Sequence, residues 1–160
     1  MLKDIILGFH IFLSINNIIA IIIGMIIGII VGALPGLGPS IALAIMIPMT
    51  FTMQPATAIL LLCAVYVGGS YGGSISSILI NTPGTAGAAA TALDGYPLAK
   101  QGKAQKALLM ALYASTTGHF IGTLSLLLLF PYLSMLALKF APPEITLLVF
   151  LALTIICLIF

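Results

Sequence analysis

Residues 18–40 read IIAIIIGMIIGIIVGALPGLGPS and are the most informative stretch of this chain. The first part is almost wholly aliphatic and approaches the length of about 20 apolar residues that a helix needs to cross a bilayer. Pro35 and Pro39 then remove backbone donors and obstruct a continuing helix. Gly36 and Gly38 permit backbone conformations that other residues avoid. The stretch predicts a membrane helix that breaks near residue 35 and restarts near Pro39, because proline favours the first helical position.

Further apolar stretches along the chain predict several membrane helices. Ile18–Leu34 and Ala107–Phe130 are the candidates for full spans. The shorter apolar stretches are Ser40–Phe51, Pro55–Val67, Ile75–Ile80 and Ile145–Phe160. The predicted fold class is all-α: a polytopic bundle of membrane helices, some broken by glycine and proline, that forms a single membrane domain over residues 1–160.

The composition excludes several functional classes. Hydrophobic residues make up 62% of the chain and charged residues 5%, whereas a soluble domain has about 25% charged residues. The net charge of +2 comes without the clustered basic residues of a nucleic-acid binder, so no nucleic-acid partner is expected. Cys63 and Cys157 lie in apolar runs without metal-ligand spacing and are expected to be buried free thiols.

A second interruption lies at residues 68–74, GGSYGGS. Glycines this dense, flanked by apolar helical sequence, predict that the helix unwinds here and restarts at Ser74. The restarted segment runs to Asn81 and stops at Thr82-Pro83-Gly84. Unwound backbone at membrane depth is tolerated only where protein buries it or where it lines a watery cavity.

Paired apolar segments interrupted by glycine and proline indicate a transport site. Helices that restart present free N–H groups, which favour anions, and unwound carbonyls can hold a cation such as sodium. No resident cofactor is expected, and the predicted coupling ion is sodium or a proton. The candidate substrate- and ion-binding residues are Pro35, Gly36, Gly38, Pro39, Ser40, Ser70, Tyr71, Gly72, Gly73, Ser74, Ser77, Asn81, Pro83 and Gly84. His119 is a further candidate, since an ionisable residue within a span is a functional hypothesis, although Thr116 and Thr117 could simply hydrogen-bond it.

Close helix packing is the alternative explanation for the glycines, because small residues let membrane helices approach. We assign Gly24 and Gly28 to packing and the two glycine-rich interruptions to function. A channel is a second functional class, since residues 68–74 resemble a carbonyl-lined filter. An enzyme is not expected, because the sequence lacks the metalloprotease and serine-hydrolase motifs and paired intramembrane carboxylates.

Residues 83–106 are the substantial polar segment of the chain and are expected to form a loop. This segment carries Lys100, Lys103 and Lys106, so we expect it to be cytoplasmic. The connector around Lys139 and Glu144 has no net charge and is expected on the opposite side.

Three ordered motifs resemble the tripartite tricarboxylate transporter family, specifically its large membrane subunit, the TctA-type permease. They are GALPGLGP at 32–39 with IPMTF at 47–51, YGGSISSILINTPG at 71–84, and DGYPLAKQGKA at 94–104. The resemblance covers about residues 15–130, and its first two motifs contain most of the candidate binding residues given above.

The resemblance implies a multi-pass secondary transporter of the bacterial inner membrane that imports citrate-like tricarboxylates or other organic carboxylates. It implies a small membrane subunit and a periplasmic solute-binding protein as partners, and an ion gradient as the driving force. The large subunit of this family is much longer and has a second half related to the first, and inverted repeats place the substrate site between halves. The chain is therefore expected to be one half of the permease, which needs a complementary second half. The alternative is a truncated fragment that is inactive alone.

Overall fold

The computed structural model describes residues 2–137 and 142–159, and every regular element in those ranges is a helix. The helices are α1 (Leu2–Phe12), α2 (Ile15–Ala33), α3 (Gly38–Thr50), α4 (Pro55–Ile80), α5 (Ala86–Lys100), α6 (Ala104–Ala137) and α7 (Pro142–Ile159). Contacts divide the chain into two units, residues 1–115 and 116–160. The predicted all-α membrane bundle is confirmed.

Within the described residues, three helices are long and apolar enough to cross a membrane: Ile15–Ala33, Pro55–Ile80 and Ala104–Met135. The first and third agree with the spans expected from the sequence. The second joins two stretches, 55–67 and 75–80, that were expected to be separate. Gly38–Thr50 is apolar but shorter, as its sequence predicted.

The first unit is built around α2 and α4, which pack as a parallel pair. A Cβ atom added to a glycine of α2 would strike the backbone carbonyl of a residue on α4, and the sites of contact advance by four residues on both helices. The pairs are Gly24 with Leu61, Gly28 with Val65, and Gly32 with Gly69. Because the partners advance in the same direction, the two helices run parallel. The short α3 connects them in sequence and runs in the opposite direction.

The glycine-rich segment 68–74 is helical, so the prediction that it unwinds is wrong. Its glycines lie on α4 and let the backbone of α2 approach that helix closely. A Cβ at Gly68 would lie 2.6 Å from the Met25 carbonyl oxygen, and one at Gly72 would lie 2.5 Å from that of Ile29. Glycine disfavours a helix by only about 1 kcal/mol per residue, and close packing of two backbones offsets that cost.

The helices are interrupted at two other places, and each break comes just before a proline, Pro35 or Pro83. The first confirms the prediction: α2 ends at Ala33, α3 begins at Gly38, and Gly36 and Gly38 have φ of +83° and +60°. The second follows Ile80, where Asn81 takes the left-handed conformation (φ 55°, ψ 31°) that commonly ends a helix.

The polar segment 83–106 is mostly helical, so its description as a loop is corrected. The Thr85 side chain caps the start of α5 by accepting a hydrogen bond from the Ala88 amide at 3.0 Å. Gly95 lies against Ile78 of α4, where an added Cβ would come within 2.6 Å of the Ile78 Cγ1. Proline at position 97 and the polar residues suggested irregular backbone, but the cap and this contact stabilise the helix.

A polar pair, buried Asn17 and half-buried Thr57, joins α2 to α4 near their N-termini. The Thr57 hydroxyl donates to the Asn17 side-chain oxygen at 2.5 Å, and the Asn17 amide donates to the Ile11 carbonyl at 2.6 Å. The apolar core beside it consists of Ala20, Ala42, Met46, Leu61 and Val65. Polar groups in this apolar setting are satisfied, as the low dielectric requires.

The second unit contains the rest of α6 and α7. Its described side chains are exposed, apart from half-buried Ser134. Cys63 and Cys157 are also exposed, so their expected burial is wrong: the helix faces that carry them are not covered by this chain. Lys139 of the second connector lies outside the described residues.

Candidate functional site

The two Pro-Gly turns, residues 34–37 and 81–85, lie against each other. A Cβ added at Gly38, immediately after the first turn, would be 3.0 Å from the Gly84 carbonyl oxygen. A Cβ at Gly84 would be 2.8 Å from the Gly32 carbonyl oxygen. The sequence separates these turns by more than forty residues, yet the fold brings their backbones into contact.

Both turns rest on the glycine-rich face of α4. An added Cβ on Gly69 would lie 3.0 Å from the Cα of Pro39, and one on Gly73 would lie 3.2 Å from the Thr85 methyl group. The Cα of Gly73 is also 2.8 Å from the position of a Cβ on Gly84. The glycines of residues 68–74 therefore do not unwind α4, but they let the two turns approach it.

The second turn folds back along α4. The helix continues to Ile80, whereas Gly84 and Thr85 contact it at Gly73. Seven residues of α-helix correspond to about 10 Å, so Gly84 and Thr85 contact α4 about 10 Å from its C-terminal end. Since α4 is about 39 Å long and the hydrocarbon core about 30 Å thick, we expect this contact to lie at membrane depth when α4 spans the bilayer.

The helix that starts at the first turn has an open N-terminus. Its N-cap residue, Leu37, makes no side-chain hydrogen bond to the first amides of α3. The N-terminus of α5 differs, because the Thr85 hydroxyl already accepts from Ala88. The first amides of a helix attract anions, so α3 provides the more available anion site of the two.

Thr85 was missed by sequence reasoning as a residue of this region. The signal was present, because a threonine directly before a run of small helix-forming residues is a common N-cap pattern. The adjacent Pro83-Gly84 indicated a turn, so the helix start that follows at Thr85 was not predicted. Thr85 contributes both the cap of α5 and the methyl group that contacts Gly73.

The hydroxyl groups on α4 are mostly bonded within the helix. Ser76 and Ser77 both donate to the Gly73 carbonyl, at 3.1 and 2.8 Å, and Ser70 donates to the Tyr66 carbonyl at 2.9 Å. Their oxygen lone pairs stay available as acceptors, but Ser77 is fully buried and Ser76 is 3% exposed. The Ser76 hydroxyl lies closest to the turns, 3.6 Å from the position of a Cβ on Gly84.

A sequence model described as "Tripartite tricarboxylate transporter TctA family" matches residues 18–160, which is most of the chain. The chain belongs to the TctA family. An uncharacterised 52.8 kDa protein of Agrobacterium vitis, from the TAR-I ttuC' 3' region, is 43% identical to this TctA-family chain over 102 residues. That match covers 64% of the chain but 20% of the relative. No solved structure matches.

The structure gathers only part of the predicted site of this TctA-family protein. Gly38, Pro39, Gly73 and Gly84 lie together, whereas Pro83 is exposed on the second turn. Pro35, Gly36, Ser40 and Asn81 are exposed on or beside the same turns, Asn81 as the helix cap described above. Gly72 faces α2 rather than the turns. Whether any of these residues binds a solute stays a prediction.

The remaining candidates are placed elsewhere. The Tyr71 hydroxyl donates to the Leu108 carbonyl of α6 at 3.5 Å, and Ser74 is buried on α4 with 8% exposure. His119 lies in the second unit of the TctA-family chain with an exposed side chain. Among the described residues no group of three or more His, Cys, Asp or Glu side chains is arranged to hold a metal ion.

Proposed function

We propose that this chain forms part of a permease that carries citrate-like tricarboxylates or other organic carboxylates across the bacterial inner membrane. Membership of the TctA family supports a transport function. The contact between the two Pro-Gly turns is the observation that carries the proposal, because it brings the termini of two helices to one place.

In this proposal the open N-terminus of α3 binds a carboxylate of the substrate. The amides of Gly38 and Ser40 are among its first N–H groups, whereas Pro39 between them has none. A helix N-terminus carries roughly half a positive charge, which favours a carboxylate without any basic side chain. The exposed Ser40 hydroxyl adds one more donor beside these amides.

The substrate's charge explains why an ion gradient would drive transport. Between Asp4 and Asp94 the sequence has no Asp, Glu, Lys or Arg, so no fixed cation offsets a carboxylate in this region. A multiply charged anion then needs a cation that enters with it. Carbonyl oxygens at the C-terminal end of α2, including that of Gly32 next to Gly84, are suitable ligands for sodium, and a proton is the alternative coupling ion.

The proposal includes the partners that the family resemblance implies. They are a small membrane subunit, a periplasmic solute-binding protein and a complementary second half of the permease. The relative from A. vitis is consistent with a longer permease, since the matched segment covers 20% of it. The second half would cover the turns from the side that this chain leaves open.

Uptake measurements test the site. With partner subunits and the complementary half co-expressed, Gly84→Ala is expected to abolish uptake of radiolabelled citrate, because the added methyl would collide with the Gly32 carbonyl and the Cα of Gly73. Gly8→Ala is the matched control, since nothing lies within 4 Å of its added Cβ. Both variants are checked for membrane insertion and helix content.

Four outcomes discriminate the alternatives. Wild-type uptake by an inserted Gly84→Ala variant would remove the turns from the mechanism. Uptake that does not saturate and never accumulates solute against a gradient would favour a channel. Uptake by this chain without its second half would contradict the half-permease proposal, whereas no uptake from any combination would favour an inactive fragment.

A further inference from the structure

Three lysines cluster where α5 turns into α6, and no function has been given to them beyond orientation. Lys100 ends α5, Lys103 lies in the turn and Lys106 lies in the first turn of α6, and all three are exposed. The acidic group nearest in sequence is Asp94, which lies six residues before Lys100. The cluster therefore has a net positive charge next to the apolar surface of α6.

The turn that carries the lysines is held in a defined conformation. The Gly102 amide donates to the Ala99 carbonyl at 2.9 Å, and the Lys103 amide donates to the Leu98 carbonyl at 3.0 Å. Gly102 has φ of +76°, so this is the paired hydrogen-bond arrangement that ends many helices at glycine. The Lys100 ammonium also lies 4.9 Å from the centre of the Tyr96 ring. A rigid turn lowers the entropy that binding costs.

An apolar groove begins at the lysines and continues along α6. The cavity has a volume of about 330 Å³ and is lined by Gln105, Lys106, Leu109, Met110 and Tyr113. Polar and basic side chains lie at one end and apolar ones along the next two turns. Leu109, Met110 and Tyr113 are 44%, 64% and 66% exposed, so lipid can reach this face.

We propose that the α5–α6 turn is a binding site for an anionic phospholipid such as phosphatidylglycerol. The lipid phosphate lies between Lys103 and Lys106, and the start of an acyl chain occupies the groove along Leu109 and Tyr113. Charge complementarity selects the anionic headgroup, and the groove distinguishes a lipid from a free phosphate. Such a lipid would fix the depth of α6 in the bilayer at its basic end.

Native mass spectrometry of the purified full chain, with phosphatidylglycerol or phosphatidylcholine added, tests this site. The wild type is expected to retain phosphatidylglycerol in preference to phosphatidylcholine. The Lys100→Gln/Lys103→Gln/Lys106→Gln variant should lose that preference, since each lysine contributes about 1 kcal/mol of attraction to an anionic surface, which is about fivefold in affinity. The matched Lys→Arg triple variant, which keeps the charge, should bind as the wild type does.

A photoactivatable phosphatidylglycerol gives a second readout that does not depend on affinity. Its adducts should map to residues 100–113, and inorganic phosphate should not displace the lipid, because phosphate cannot fill the groove. Adducts that map elsewhere, or equal retention by the Lys→Gln variant with native helix content, would overturn the proposal. Displacement by phosphate would also overturn it, since the lysines would then bind phosphate alone.

Discussion

Single glycines set how closely α2 and α4 approach. Gly28→Ala places a methyl group on the Val65 carbonyl and within 2.9 Å of the Gly69 amide nitrogen, so the helices must separate. We expect the free energy of unfolding in detergent to fall by about 1–3 kcal/mol. Gly8→Ala, which contacts nothing, should leave stability equal or slightly higher, because alanine favours helix more than glycine does. Equal effects of the two changes would contradict the packing described here.

The Asn17–Thr57 hydrogen bond is the polar link between the same helices. A double-mutant cycle with Asn17→Ala and Thr57→Ala should give a coupling energy of about 0.5–2 kcal/mol, the range found for hydrogen bonds between membrane helices. Chemical unfolding monitored by circular dichroism supplies the four stabilities. A coupling energy of zero would mean that the two side chains do not interact in the folded state.

The sequence predicted the first interruption because proline and glycine act there locally. Pro35 lacks the amide that would continue α2, Pro39 fits the first turn of α3, and Gly36 and Gly38 adopt the positive φ that suits glycine. The glycines of residues 68–74 were misread because their reason is not local. Only the position of α2 shows that Gly68 and Gly72 are needed for a close contact. The sequence singled out residues 68–74, but the prediction that their backbone is unwound was wrong, because they are helical.

At the scale of elements, α4 is one continuous helix, whereas the sequence predicted that it unwinds at residues 68–74. Hydrogen–deuterium exchange should show the amides of residues 68–74 as protected as those of the flanking helix, because each donates within α4. The Gly36 amide provides the internal comparison and should exchange faster, since Pro35 has no amide hydrogen and the Leu37 amide donates to the Leu34 carbonyl. Rapid exchange throughout residues 68–74 would restore the unwound segment that the sequence suggested.

The ends of helices could be predicted where a capping residue marks them. They were missed where contacts with another helix determine whether the segment is helical. Proline at the start of α4 and glycine at the end of α5 fit their common positions at helix ends. The helix over 86–100 was missed because Gly95 and Pro97 weaken helix propensity locally. Its contact with Ile78 on α4 is a tertiary feature that no periodicity in the sequence reveals.

At the scale of the whole molecule, the parallel pair fixes which ends share a side of the membrane. Ser14 and Gln54 precede α2 and α4 as their N-cap residues and should lie on the same side. The lysine-bearing turn follows the opposite end of α4. In a variant without Cys63 and Cys157, Ser14→Cys and Gln54→Cys should react together with a membrane-impermeant thiol reagent from one side, and Lys103→Cys from the other.

This labelling pattern also tests the predicted cytoplasmic position of the lysines. Reagent added to the outside of intact cells should label Ser14→Cys and Gln54→Cys and leave Lys103→Cys unmodified. The reverse pattern would keep the parallel arrangement but invert the orientation. Labelling of Ser14→Cys and Gln54→Cys from opposite sides would contradict the fold itself.

The shortness of α3 has a consequence for any charged solute. Its thirteen residues span about 20 Å, roughly 10 Å less than the hydrocarbon thickness that the neighbouring helices cross. If water reaches both ends of α3, the insulating barrier is locally thinned to about two thirds of its usual width. The membrane voltage then drops across that shorter distance, so an ion at the Pro-Gly turns experiences a steeper electric field than one at the lipid surface nearby.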